Sequence, residues 1–145
     1  MIITLSIIAV LILLVYSPYF FHIIKGSPEK FEYEMLKALA NWMITKGKSI
    51  QLQLWIMLIL SILLEIIYFV LVFNVIDNYA LIILTAIFAG FEVYHIITLT
   101  FSFNKFFKGN KILKDLFNWS VERLSASLFF THALVVLLSL IFFNV

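Results

Sequence analysis

Four apolar stretches, at about residues 2–24, 52–73, 79–103 and 124–143, take up most of this chain. Each is long enough to cross a hydrocarbon core, which needs ~20 helical residues. The expected fold is therefore an all-α integral membrane protein, a bundle of four transmembrane helices. Hydrophobic residues make up 64% of the 145 positions and charged residues 12%, against ~25% charged in soluble domains. At this length residues 1–145 form one membrane domain, and no separate soluble catalytic domain fits. The first stretch has no basic residue ahead of it and no small-residue cleavage pattern after it, so it is expected to be a retained helix.

The chain has no cysteine. Disulfides, thiolate metal sites, iron–sulfur clusters and cysteine nucleophiles are thereby excluded. The basic residues are distributed unevenly. Lys25, Lys30, Lys37, Lys46 and Lys48 lie between the first and second stretches; Lys105, Lys108, Lys111 and Lys114 lie between the third and fourth, which Arg123 opens. Residues 74–78, between the second and third stretches, have no Lys or Arg. The positive-inside rule then puts both basic connections in the cytoplasm and both termini outside. Trp42, Trp55 and Trp119 fall on the same side, as interfacial aromatics do.

Within the first connection, about residues 28–46 read as an amphipathic helix on the cytoplasmic side between helices one and two. Ser27 and Pro28 are start signals, and Lys46 and Gly47 are stop signals. Phe31, Met35, Leu39, Trp42 and Met43 repeat at helical spacing. Such a helix either lies on the inner membrane surface or packs under the bundle or a soluble partner; amphipathicity alone does not choose. In the second connection Lys105, Lys108, Lys111 and Lys114 suit contact with anionic lipid headgroups, at ~1 kcal/mol each near the surface. No nucleic-acid fold signature accompanies these lysines, so no nucleic-acid partner is expected.

Chemistry is expected at four residues that interrupt the apolar stretches: Glu65, Glu92, His95 and His132. A charge at the centre of a membrane helix costs ~2.5–3.5 kcal/mol by insertion scales, so these groups should face one another, a cavity or a partner. Counted inward from Trp55, Asn104 and Trp119 at ~1.5 Å per residue, all four fall ~13–20 Å from the cytoplasmic edge, near the midplane. They lie on stripes of polar or small residues: Ser61, Glu65 and Tyr68; Thr85, Ala89, Glu92, His95 and Ser102; Ser125, His132 and Ser139. Bundles turn such stripes inward.

Glu92 and His95 form an E-x-x-H pair, whose spacing lets both side chains reach one ion. In ferritin-like bundles two such motifs and two further glutamates bind iron or manganese. This chain has a single motif, and Glu122 lies too far along its helix from His132 to complete a second, so a mononuclear site of Glu65, Glu92, His95 and His132 is expected. Its donors suit zinc, iron, manganese or nickel. Haem between His95 and His132 ranks lower, because their estimated depths differ by ~6 Å. Glu122 and Arg123 read as part of a solvated helix end.

Three functions remain open from sequence. The first is divalent-metal binding for transport, storage or redox chemistry. The second is a structural or accessory subunit of a larger membrane complex. The third is a proton or small-ion conductor, for which a homo-oligomer could line the path. No nucleotide, hydrolase or kinase signature occurs, which leaves enzymatic activity without motif support.

Overall fold

The computed structural model describes residues 1–143, and five α-helices account for nearly all of them: α1 (Ile2–Ile24), α2 (Pro28–Lys46), α3 (Ile50–Val75), α4 (Tyr79–Phe107) and α5 (Trp119–Phe142). Short 3-10 turns precede α3, at Gly47–Ser49, and α5, at Leu113–Asp115. Among the described residues four helical segments are long and apolar enough to cross a membrane, in agreement with the four apolar stretches. The helices run farther into the polar connections than the apolar stretches do. Asn104, Lys105, Glu122 and Arg123 are all helical, because a polar side chain does not end a helix unless it also offers the backbone another partner.

The stop signals act where the backbone demands them. Gly47, at φ 59°, ends α2, and Gly109, at φ 79°, follows α4; both sit in the left-handed region that only glycine enters without strain. Ser27 occupies the N-cap of α2 ahead of Pro28, but its side chain makes no capping hydrogen bond. Pro18 lies inside α1 without breaking it. Its missing N–H leaves the Leu14 carbonyl without its usual partner, and the Ser17 hydroxyl donates to that oxygen at 3.2 Å.

The long apolar helices form a ring in which α1 packs on α5, α5 on α4, α4 on α3 and α3 on α1. The α1–α5 contact is the most extensive. It is built around Ala9 and Ala133, both fully buried, which let the two helices approach closely. Tyr16 stacks on Phe129 and Phe20 on Phe130 along the same seam. Two apolar clusters fill the ring: Leu5, Tyr68, Val72, Phe88, Phe129 and Val136 belong to the larger, and Leu54, Leu58, Phe103 and Leu116 form the smaller one at the lysine-rich end.

Helix α2 packs against α1, α3 and the turn before α5, across the lysine-rich end of the ring. Leu39, Trp42 and Met43 rest on the smaller apolar cluster, and Phe31 stacks on Tyr19 of α1. One face of this helix thus covers the lysine-rich end of the bundle. Lys105, Lys108 and Lys114 are exposed around it, and Lys111 donates to Ser102 at 3.1 Å.

Candidate functional site

One register between α4 and α5 positions most of the polar side chains. Thr85 meets His132, Phe88 meets Phe129, Glu92 meets Ser125 and His95 meets Glu122. Each step along α4 is matched by an equal step back along α5, as antiparallel helices require. On α4 the inward face is Leu81, Thr85, Phe88, Glu92 and His95, all buried and spaced three or four residues apart.

The four expected ligands do not converge on one point. His132 belongs to a layer of its own with Tyr68 and Thr85. The Thr85 hydroxyl donates to the Leu81 carbonyl at 2.7 Å, as a threonine on a helix often does, so its lone pairs are free to accept. His132 Nε2–H therefore donates to Thr85 Oγ1 at 2.8 Å, and the Tyr68 hydroxyl donates to His132 Nδ1 at 2.7 Å. Both ring nitrogens are satisfied by neutral partners, which fixes a neutral tautomer. Phe88 and Phe129, in edge contact at 4.8 Å between centroids, occupy the next register step and divide this layer from the carboxylates.

On the other side of that aromatic layer, His95 lies between two glutamates. Its Nδ1 is 3.0 Å from Glu92 Oε2 and its Nε2 is 2.8 Å from Glu122 Oε1. Ser125 donates to the second oxygen of Glu92 at 2.8 Å. Glu92 is buried at 1% exposure and His95 at 9%, while the Glu122 side chain keeps 20% exposure toward the lysine-rich end. Two protons satisfy the two contacts of the imidazole wherever they reside, on the ring or on a carboxyl group. In either arrangement the cluster carries one net negative charge, and a third proton neutralises it.

Glu65 stands beside this cluster without joining it. It shares a shallow cleft between α3 and α4 with Glu92, and its Oε2 is buried without a hydrogen-bond partner among the described residues. Among those residues no group of three or more His, Asp or Glu side chains is arranged to hold a metal ion.

A second ionic cluster lies at the lysine-rich end. Arg123 donates through Nε to Glu32 Oε2 and through Nη2 to Glu32 Oε1, each at 2.7 Å, and Tyr19 donates to the same carboxylate. Glu29 adds a longer contact to Arg123 at 3.4 Å. Glu32 is 4% exposed. Burial opposes its charge, but the hydrogen bonds from Arg123 and Tyr19 outweigh that effect and hold its carboxyl below the usual glutamate range. This two-pronged pairing ties α2 to the first turn of α5.

Glu122 and Arg123, read from sequence as a solvated helix end, thus join the two ionic clusters. That expectation requires Trp119 and Asn104 to lie at equal depth, and they do not. Glu122 faces His95, so Trp119 sits well inside the level of Asn104, and His132 lies about two turns beyond Glu92 and nearly three beyond Glu122. A signal was present nonetheless: Glu122, Ser125, Phe129 and His132 repeat at helical spacing and share one face of α5.

Fold and site together define a class, a small α-helical bundle, with helices long and apolar enough to cross a membrane, that holds a buried carboxylate–imidazole–carboxylate cluster. No protein-family model, curated protein or solved structure matches the chain.

Proposed function

We propose that this is an integral membrane protein whose Glu92–His95–Glu122 cluster binds and releases a proton, as the ion-binding element of proton transport or proton-coupled transport. The helices α1, α3, α4 and α5 cross the membrane, the termini lie outside, and the lysine-rich end with α2 faces the cytoplasm. The observation that carries the reading is the imidazole held between two carboxylates, since three titratable groups there hold two protons and have a place for a third. Intramembrane Glu and His arranged in hydrogen-bonded series are the usual parts of proton relays. Glu122, the least buried member, gives the cluster its exit toward the cytoplasm, and the Phe88–Phe129 layer closes the opposite side.

The test is an infrared titration of the purified chain in lipid. A carboxyl band that appears on acidification, and is lost in both Glu92→Gln and His95→Ala with helix content unchanged, supports the reading. Absence of any such band, together with unchanged proton flux in liposomes of both variants, overturns it.

Divalent-metal binding at Glu65, Glu92, His95 and His132 is less well supported by this geometry. His132 has both nitrogens engaged by Tyr68 and Thr85, and both His95 nitrogens are taken by carboxylates. A metal ion at His95 has to displace at least one of those contacts. Stoichiometric metal in protein purified without chelator, lost in Glu92→Ala and His95→Ala, would restore the metal reading over the proton one.

A further inference from the structure

Between α1, α3 and α5 a groove of about 180 Å³ opens on the outer surface of the bundle, lined by Ile8, Ile12 and Leu64 among other apolar side chains. Three polar residues interrupt its wall: Glu65, Ser61 and Tyr16. Ser61 and Glu65 lie one turn apart on α3, and Tyr16 lines the same groove from α1. Neither the cluster at His95 nor the layer at His132 accounts for Glu65, whose Oε2 is buried with no partner among the described residues. The last torsion of a glutamate is broad and roughly two-fold, so its two carboxyl oxygens exchange places readily.

The charges around the groove select the occupant. The positive charge that His95 can carry is held between Glu92 and Glu122, and Arg123 is held by Glu32 and Glu29. Glu65 has no cation of its own among the described residues, and the adjoining cluster sets two carboxyl groups against the one imidazole of His95. An anionic headgroup is repelled there, and a neutral carbonyl gains nothing from the negative field. An ammonium group has three donors and no acceptor, and the groove offers three oxygen-bearing side chains in an apolar wall.

We infer that this groove binds a lipophilic amine, with its ammonium against Glu65, Ser61 and Tyr16 and its apolar body along Ile8, Ile12 and Leu64. The groove opens sideways, so a longer tail continues into the lipid. This site is separate from the proton site.

The experiment uses the full chain in nanodiscs of zwitterionic lipid, with radiolabelled 1-adamantylamine as probe and 1-adamantanol as its neutral isostere. Equilibrium dialysis against empty nanodiscs should show saturable binding of the amine, and about tenfold weaker binding of the alcohol, the factor expected when a charge-assisted hydrogen bond is lost. Glu65→Gln should weaken amine binding by a similar factor. Ser61→Phe, which fills the groove and keeps the carboxyl group, should abolish it, and covers the case in which Glu65→Gln folds poorly. Equal binding of amine and alcohol, binding unchanged in a folded Glu65→Gln, or no saturable binding above empty nanodiscs each overturns the inference. The infrared titration of the His95 cluster is a separate readout, so failure here leaves the proton site to be judged by itself.

Discussion

His132 and His95 are the same residue on facing helices, nearly three turns apart in level, yet the bundle gives them opposite partners. Around His132 every hydrogen-bond position is taken by a neutral hydroxyl, in a chain that ends on the Leu81 carbonyl. The arrangement is complete for one protonation state and has no use for another. Around His95 both partners are carboxyl groups, so each ring contact can be made with its proton on either side. An ionisable residue inside an apolar bundle is thus assigned to structure or to chemistry by its partners, and not by its depth.

The comparison is sharpened most by removing His95. His95→Ala leaves Glu92 and Glu122 facing a space with no imidazole between them. Removing one partner from a buried charged pair costs about 3–5 kcal/mol, and the upper part of that range is relieved here by protonation of a carboxyl group. Thermal unfolding in detergent should show a loss of about 3 kcal/mol, with the carboxyl titration gone. A His95→Ala protein as stable as the parent and titrating normally would erase the distinction between the two histidines.

The Arg123–Glu32 pair comes next. It is less buried on the arginine side, with 33% of the Arg123 side chain exposed, so Glu32→Gln should cost about 1–3 kcal/mol, between the values for surface and buried pairs. Hydrogen exchange along α2 should rise in that variant, while the His95 cluster keeps its titration. Because the Glu32 carboxyl is held below its ordinary range, its contribution is complete at neutral pH and falls away on acidification through that lowered value. The parent should therefore lose protection of α2 on strong acidification, and Glu32→Gln should show the loss at every pH.

The smallest effect is expected at His132. Tyr68→Phe removes one interhelical hydrogen bond of a kind worth ~0.6 kcal/mol on average in membrane bundles and ~1.7 kcal/mol at most. It should lower stability within that range and leave the infrared titration unchanged. A shifted or lost carboxyl band in Tyr68→Phe would show that the aromatic layer does not separate the two histidines, and the contrast between them would collapse.

Much of this was legible in the sequence. The apolar stretches marked the four long helices, Gly47 marked the end of α2, and the polar stripes gave Thr85, Glu92, His95, Ser125 and His132 inward positions but also included Ser61, which is exposed. The sharing of one cluster by Glu92 and His95 followed from their spacing. What could not be read was the relative level of two helices joined by a connection of uncertain geometry. Residues 108–118 fold back so that α5 begins deeper than α4 ends, and this displacement took His132 out of the cluster and brought Glu122 in. Helical periodicity reports the face on which a side chain lies; the level at which it meets a neighbour depends on packing between helices.

The shared register of α4 and α5 has a consequence for how this protein can vary. A single residue inserted into α4 between Thr85 and His95 turns everything beyond it by about a quarter of a circle and shifts it ~1.5 Å along the axis. The hydroxyl–imidazole layer, the aromatic layer and the carboxylate cluster would then no longer face their counterparts together, and no single substitution brings them back. Individual side chains in this segment can be exchanged one at a time, but its length is a property that α4 and α5 can change only jointly.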